Sequence, residues 1–121
     1  MSTIKKSIGS FKYAFKGLYV LFRNEHNIRV DAFAAVLVTG LGFIVNLSGQ
    51  EWAVIALCIG LVFTAEAVNS AIERMVDKVS PEQNDLAGVI KDLAAGAVLL
   101  AAIAAAAAGL IIFIPKLIGL L

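Results

Sequence analysis

The sequence predicts an all-α membrane protein: three transmembrane helices preceded by an N-terminal amphipathic surface helix. Three observations lead there. Sixty per cent of the 121 residues are apolar, above the roughly one-half of a soluble domain. Three long runs carry no charge at all: residues 32–48, 52–65 and 93–114. Nine of the ten Lys and Arg fall within residues 5–29 and 74–91, so charge is kept out of those runs. A soluble domain of this length has too little interior to cover three such stretches. The chain is long enough for one domain, read as residues 1–121, and too short for two.

The first element is a helix over about residues 4–23. Ile4, Ile8, Phe11, Phe15, Leu18 and Phe22 share one face within an arc of about 80°. Lys5, Lys12, Lys16 and Arg23 form a second stripe beside it. A narrow apolar face with basic flanks suits a helix lying in the surface of an anionic leaflet.

The spans follow over about 30–48, 52–79 and 86–114. The third contains 22 uncharged residues, and about 20 cross a hydrocarbon core. The connection 46–51 has no Lys or Arg, whereas residues 5–29 and 74–91, before the first apolar run and between the second and third, hold nine. The positive-inside rule puts the N-terminus and the 74–92 segment in the cytoplasm and the C-terminus outside. Trp52 fits the outer interface, and Pro115 with Lys116 is expected to end the third span there. Ser80, Pro81 and Gln83 read as cap, first and third positions of the next helix. Gly40 and Gly42 read as helix packing. Ala105 and Gly109 are small residues four apart, a spacing that lets helices approach closely in lipid. Three spans cannot easily enclose a polar stripe alone, so a homo-oligomer is expected.

That stripe is the candidate site. Glu66, Asn69, Glu73 and Asp77 occur at spacings of +3, +7 and +11, which puts them within about 80° on one helix face. An acidic residue at mid-bilayer costs about 3 kcal/mol and is rarely there without a function. Glu25 precedes the first span, and Lys91 and Asp92 open the third. Carboxylates with an amide and a lysine suit Mg²⁺ and phosphate better than Zn²⁺. His26 reads as an interfacial polar residue, and the single Cys58 as a small core residue. A net charge of +1 gives no reason to expect nucleic-acid binding. There is no Walker A or kinase-type glycine-rich loop. The alternative class is a small proton-coupled transporter, since intramembrane carboxylates also relay protons. Clustering of the polar groups toward one side weighs against it.

The chain resembles the small bacterial membrane kinases of the diacylglycerol kinase and undecaprenol kinase family. The residues that carry the likeness are Asn24-Glu25 with Arg29, the string from Glu66 to Asp77 (EAVNSAIERMVD), and Gly88 to Asp92 (GVIKD) with the AAGAV that follows Leu93. The resemblance implies a homotrimer that phosphorylates a lipid alcohol with ATP and Mg²⁺, in a site shared between neighbouring chains. By matching motif, Glu66 looks like the base that takes the lipid hydroxyl proton, and Glu25 and Glu73 look like the Mg²⁺ ligands. Lys91 and Asp92 look like nucleotide contacts, with Lys91 near the phosphates. Lys6, Tyr13 and the turn Glu82, Gln83, Asn84 match positions that contact ATP. Asn69, Asp77 and Arg29 look like supporting, nucleotide-side or substrate-side residues. Lys6 stands where some members have arginine, which makes a less fork-like phosphate contact. The AAGAV segment lacks a serine of the enterobacterial diacylglycerol kinases and is more similar to the undecaprenol-acting members.

Overall fold

The computed structural model describes residues 2–121 as four helices: α1 (Thr3–Asn24), α2 (His26–Ile44), α3 (Gly49–Val79) and α4 (Asp85–Leu120). Among the described residues there is no strand. α2, α3 and α4 are each long and apolar enough to cross a membrane. At 1.5 Å per residue α3 and α4 run to about 46 and 54 Å, well beyond a 30 Å hydrocarbon core. Their polar ends therefore stand clear of the lipid tails.

Ser2 begins α1 by accepting the Lys5 N–H at 3.3 Å. The face of Ile4, Ile8, Phe11 and Phe15 is exposed, as a lipid-lying helix requires. Only its far end is anchored, through buried Leu21 and through Phe22, which stacks on Phe63 of α3 at 6.0 Å. One residue, Glu25, turns the chain from α1 into α2. Its extended backbone (φ −106°, ψ 113°) caps both helices, and its N–H donates to the Leu21 carbonyl.

α2 stops at Ile44, four residues before the predicted limit. The Leu47 N–H donates to the Gly42 carbonyl across Asn46, whose φ of +56° is left-handed. This is a Schellman stop, in which Asn is one of the few residues that tolerate the αL position. α3 then starts at once on a capping box: Ser48 Oγ accepts the Glu51 N–H, and Glu51 Oε1 accepts the Ser48 N–H. Gly42 is packed under this turn. A Cβ there would lie 2.6 Å from Trp52 Cη2 and 2.9 Å from Leu47 Cδ1. Gly40 has open space around it and plays no such part.

α3 and α4 form the hairpin with the most extensive contact in the fold. The buried apolar cluster joins the α2–α3 turn to this hairpin: Val45 and Leu47 of the turn pack with Ile55 and Phe113, with Trp52 and Ile59 against them. Two expectations about α4 need correction. Pro115 and Lys116 do not end the helix, which runs on to Leu120 with Pro115 inside it. Proline removes one backbone donor but is tolerated in membrane helices. The following turn is held by Lys116, whose Nζ donates to Glu51 Oε1 at 2.9 Å and to the Asn46 carbonyl at 3.3 Å. At the other end, Ser80 caps the C-terminus of α3 rather than beginning α4. The N-cap of α4 is Asn84, whose Oδ1 accepts the Ala87 N–H at 2.8 Å. Ser80 and Asn84 are instead bonded to each other at 2.7 Å, so they close the turn between the helices.

Candidate active site at the polar end of the bundle

The site forms where the Glu25 corner meets the polar half of α3. The Ser70 hydroxyl, on the buried side of α3, donates to Glu25 Oε1 at 2.8 Å. The Arg74 guanidinium stands 4.0 Å from the same oxygen. On the neighbouring positions of that turn, Asn69 Nδ2 donates to Glu73 Oε1 at 3.4 Å. Glu25 and Glu73 are thus tied to the same two turns of α3, although 48 positions separate them in the sequence.

One turn nearer the apolar run, the Glu66 carboxyl faces that of Asp31 from α2, with Glu25 close enough to be felt. Asp31 Oδ2 and Asn69 Oδ1 are both buried without a hydrogen-bond partner. Buried acceptors left open in this way call for a ligand, ion or water to complete them. Asp31 also lines the head of a cleft of about 560 Å³ that descends between α2, α3 and α4. The walls are apolar, and Ala35, Ala105, Ala106 and Gly109 are among the small residues in them. Phe63 flanks the cleft near its head, and Phe113 and Leu117 stand at the opposite end. A carboxyl pair at the top of an apolar trough can bring a polar head to its oxygens while a hydrocarbon chain lies below.

On the far side of Glu73, Lys91 Nζ pairs with Asp77 Oδ1 at 2.5 Å, which joins α4 to the end of the stripe. The other expected residues are not drawn in. Lys6 and Tyr13 are exposed on α1, Arg29 is exposed on α2, and Asp92 is exposed on a face of α4 shared with Val89 and Gly96. Of the turn residues, Asn84 is engaged as a helix cap, Glu82 contributes its carbonyl to Ser80, and Gln83 is exposed. Among the described residues no three His, Cys, Asp or Glu side chains converge as a metal cluster.

Sequence reasoning missed Asp31, Ser70 and Arg74. Asp31 carried a signal, since it is an acid at the very edge of an uncharged run. Ser70 and Arg74 lie inside the EAVNSAIERMVD string, but no local spacing shows that they meet Glu25 until its corner is folded against them.

The comparisons with known proteins bear on the same residues. The model of the prokaryotic diacylglycerol kinase family matches residues 12–113. The chain is 44% identical over 108 residues to the undecaprenol kinase of Bacillus subtilis strain 168, which covers 89% of this chain and 88% of that one. It is 40% identical over 113 residues to a diacylglycerol kinase of Synechocystis, covering 93% of this chain and 65% of that longer protein. It is 32% identical over 93 residues to the diacylglycerol kinase of Escherichia coli K12, covering 77% of this chain and 76% of that one. Three membrane-length helices, a carboxylate-lined polar end and these matches together place the chain in the prokaryotic diacylglycerol kinase family, as a membrane lipid kinase.

Proposed function

We propose that the protein transfers the γ-phosphoryl group of ATP to the hydroxyl of a membrane lipid alcohol, undecaprenol before diacylglycerol, at the cytoplasmic face of the inner membrane. The observation that carries this is the position of Glu66: it meets Asp31, and Asp31 heads the apolar cleft. A lipid chain lying in that cleft brings its hydroxyl to the Glu66 carboxylate. Undecaprenol is favoured by the AAGAV segment and by the similarity, nearly end to end, to the undecaprenol kinase.

The donor set fits Mg²⁺. Glu25, bonded to Ser70 of α3, and Glu73, bonded to Asn69, offer hard oxygens, and Asn69 Oδ1 adds a buried acceptor with no partner. Two carboxylates without a third suit an ion that completes its shell with phosphate oxygens and water. When bound, the ion supplies charge neutralisation to the transferring phosphoryl group. Glu25 and Glu73 would hold it, with Ser70 and Asn69 fixing their carboxylates. Lys91 would stand at the phosphates. Glu66 takes the hydroxyl proton as the lipid oxygen bonds to phosphorus and the β,γ bridge breaks to release ADP.

The active unit is a homo-oligomer, taken as a trimer. Lys6, Tyr13 and Asp92 are exposed within one chain, which supports a site completed by a neighbour. The test is ATP consumption by the purified protein in mixed micelles with Mg²⁺, with undecaprenol and diacylglycerol offered side by side. Faster phosphorylation of undecaprenol is expected. Preference for diacylglycerol would reverse the substrate order, and no phosphorylated lipid from folded protein would overturn the reading.

A further inference from the structure

We propose that the apolar cleft seats one hydrocarbon chain, joined directly to the alcohol carbon, and that Gly109 sets its clearance. This rests on the lipid-kinase function proposed above and narrows the substrate to single-chain alcohols, read over three to four isoprene units. The dimensions of the cleft are those of one chain. Along α2 it runs from Asp31 to Leu41, about 15 Å, and along α4 from Ala102 to Leu117, about 22 Å. An extended chain advances about 1.2 Å per bond, so that length takes about 12–18 atoms in single file. The volume of about 560 Å³ holds about 19 groups the size of a water, about 30 Å³ each, and a methylene is close to that size. One chain with a methyl branch on every fourth carbon matches both figures. Two chains side by side would need about twice the volume. A helix of a second copy, about 10 Å across, needs a cross-section of about 80 Å², whereas this volume over this length leaves about 25–37 Å².

The chemistry of the walls selects in the same direction. Below Asp31 they carry no charged side chain, and Ala34 and Ala35 come first. The esters of a diacylglycerol begin on the carbon next to the alcohol carbon. They would lie against these methyl groups with no side-chain donor, and burying unpaired ester oxygens is costly. A polyprenol is hydrocarbon from the alcohol carbon onward. Its one polar group, the hydroxyl, falls to the carboxyl pair of Asp31 and Glu66 at the head. Gly109 stands about 10 Å below Ala102 on α4. A Cβ there would meet nothing within 4 Å, so no contact within the chain calls for glycine, which a helix interior disfavours. Its missing side chain keeps the trough open midway down.

The test is kcat/KM of the purified protein in mixed micelles with Mg²⁺ and ATP, for geraniol, geranylgeraniol, undecaprenol and diacylglycerol. Parent, Gly109→Leu and Gly119→Leu are compared, with melting temperatures to show that each is folded. Gly119 also has open space around it and does not line the cleft. In the parent, geranylgeraniol and undecaprenol should react alike, since units beyond the fourth lie outside the cleft, and both should outrun diacylglycerol. Geraniol, two isoprene units long, reaches about 10 Å and stops short of Gly109, whereas geranylgeraniol passes it. Gly109→Leu should therefore lower the geranylgeraniol-to-geraniol ratio about 5- to 100-fold, the range of overpacking. Gly119→Leu should keep the parent ratio. An unchanged ratio in folded Gly109→Leu would overturn the seat and leave the lipid-kinase function standing. So would an equal loss toward both alcohols, which would mark Gly109 as a contact between copies. Preference of the parent for diacylglycerol would overturn the single-chain rule. No phosphorylation of any of the four lipids would remove the kinase function and this inference with it.

Discussion

Ser70 and Glu25 are joined by a 2.8 Å hydrogen bond across 45 residues of sequence, from the buried side of α3 to the single extended residue between α1 and α2. That bond sets the corner of the chain and aims one of the two carboxylates proposed to hold the metal. A hydroxyl that serves a charged acceptor in a half-closed site is worth about 1.5–3 kcal/mol. Ser70→Ala should therefore leave the helices intact and release Glu25. The expected result is a fall in kcat/KM of about tenfold and a higher Mg²⁺ concentration for half-maximal rate. A magnesium titration of the purified variant checks it. An unchanged titration would mean that Glu25 is held by Arg74 or by its own backbone.

Glu66→Gln keeps the size of the side chain and removes the proton acceptor. Loss of general-base help costs about 10²- to 10⁴-fold in rate, so turnover should fall by that order while ATP still binds. A nucleotide-binding measurement beside the rate separates the outcomes. Loss of ATP binding would assign Glu66 to the metal instead.

Glu73→Gln should act in the opposite pattern. Its carboxylate bonds to Asn69 and stands two turns beyond Glu66, so its loss should weaken Mg²⁺–ATP binding and raise the KM for ATP. The lipid KM should barely move. A Mg²⁺ dependence identical to that of the parent protein would count against the ligand role.

Gly42→Ala tests the opposite end of the bundle. The new methyl would press on the Trp52 ring at 2.6 Å, and overpacking of this kind costs about 1–3 kcal/mol. A lower melting temperature is expected, followed by the fluorescence of Trp52, the one tryptophan in the chain. Gly40→Ala, with nothing within 4 Å, is the matched control and should be neutral or mildly stabilising. Equal melting temperatures in the two variants would show that the ring yields to the added methyl.

The helices were legible in the sequence because each depends on a local period and on the length of an uncharged run. The same is true of the stripe: Glu66, Asn69, Glu73 and Asp77 lie on one face by helical spacing alone. Ends were less legible. Ser80 and Asn84 are equally good caps by composition, and only the folded turn shows Ser80 ending α3 and Asn84 beginning α4. Pro115 reads as a stop in isolation, yet the helix continues where Lys116 is tied to Glu51 and to the Asn46 carbonyl.

By itself, then, the sequence determined the membrane class, the number of spans and the α3 face that carries the polar stripe, since these follow from hydropathy and from a 3.6-residue repeat. The tertiary structure decided which groups meet that face: Asp31 opposite Glu66, Ser70 under Glu25, Lys91 on Asp77. Those pairings depend on how α1, α2 and α4 dock on α3. Docking is set by packing between segments far apart in the chain, on which a local pattern has no hold.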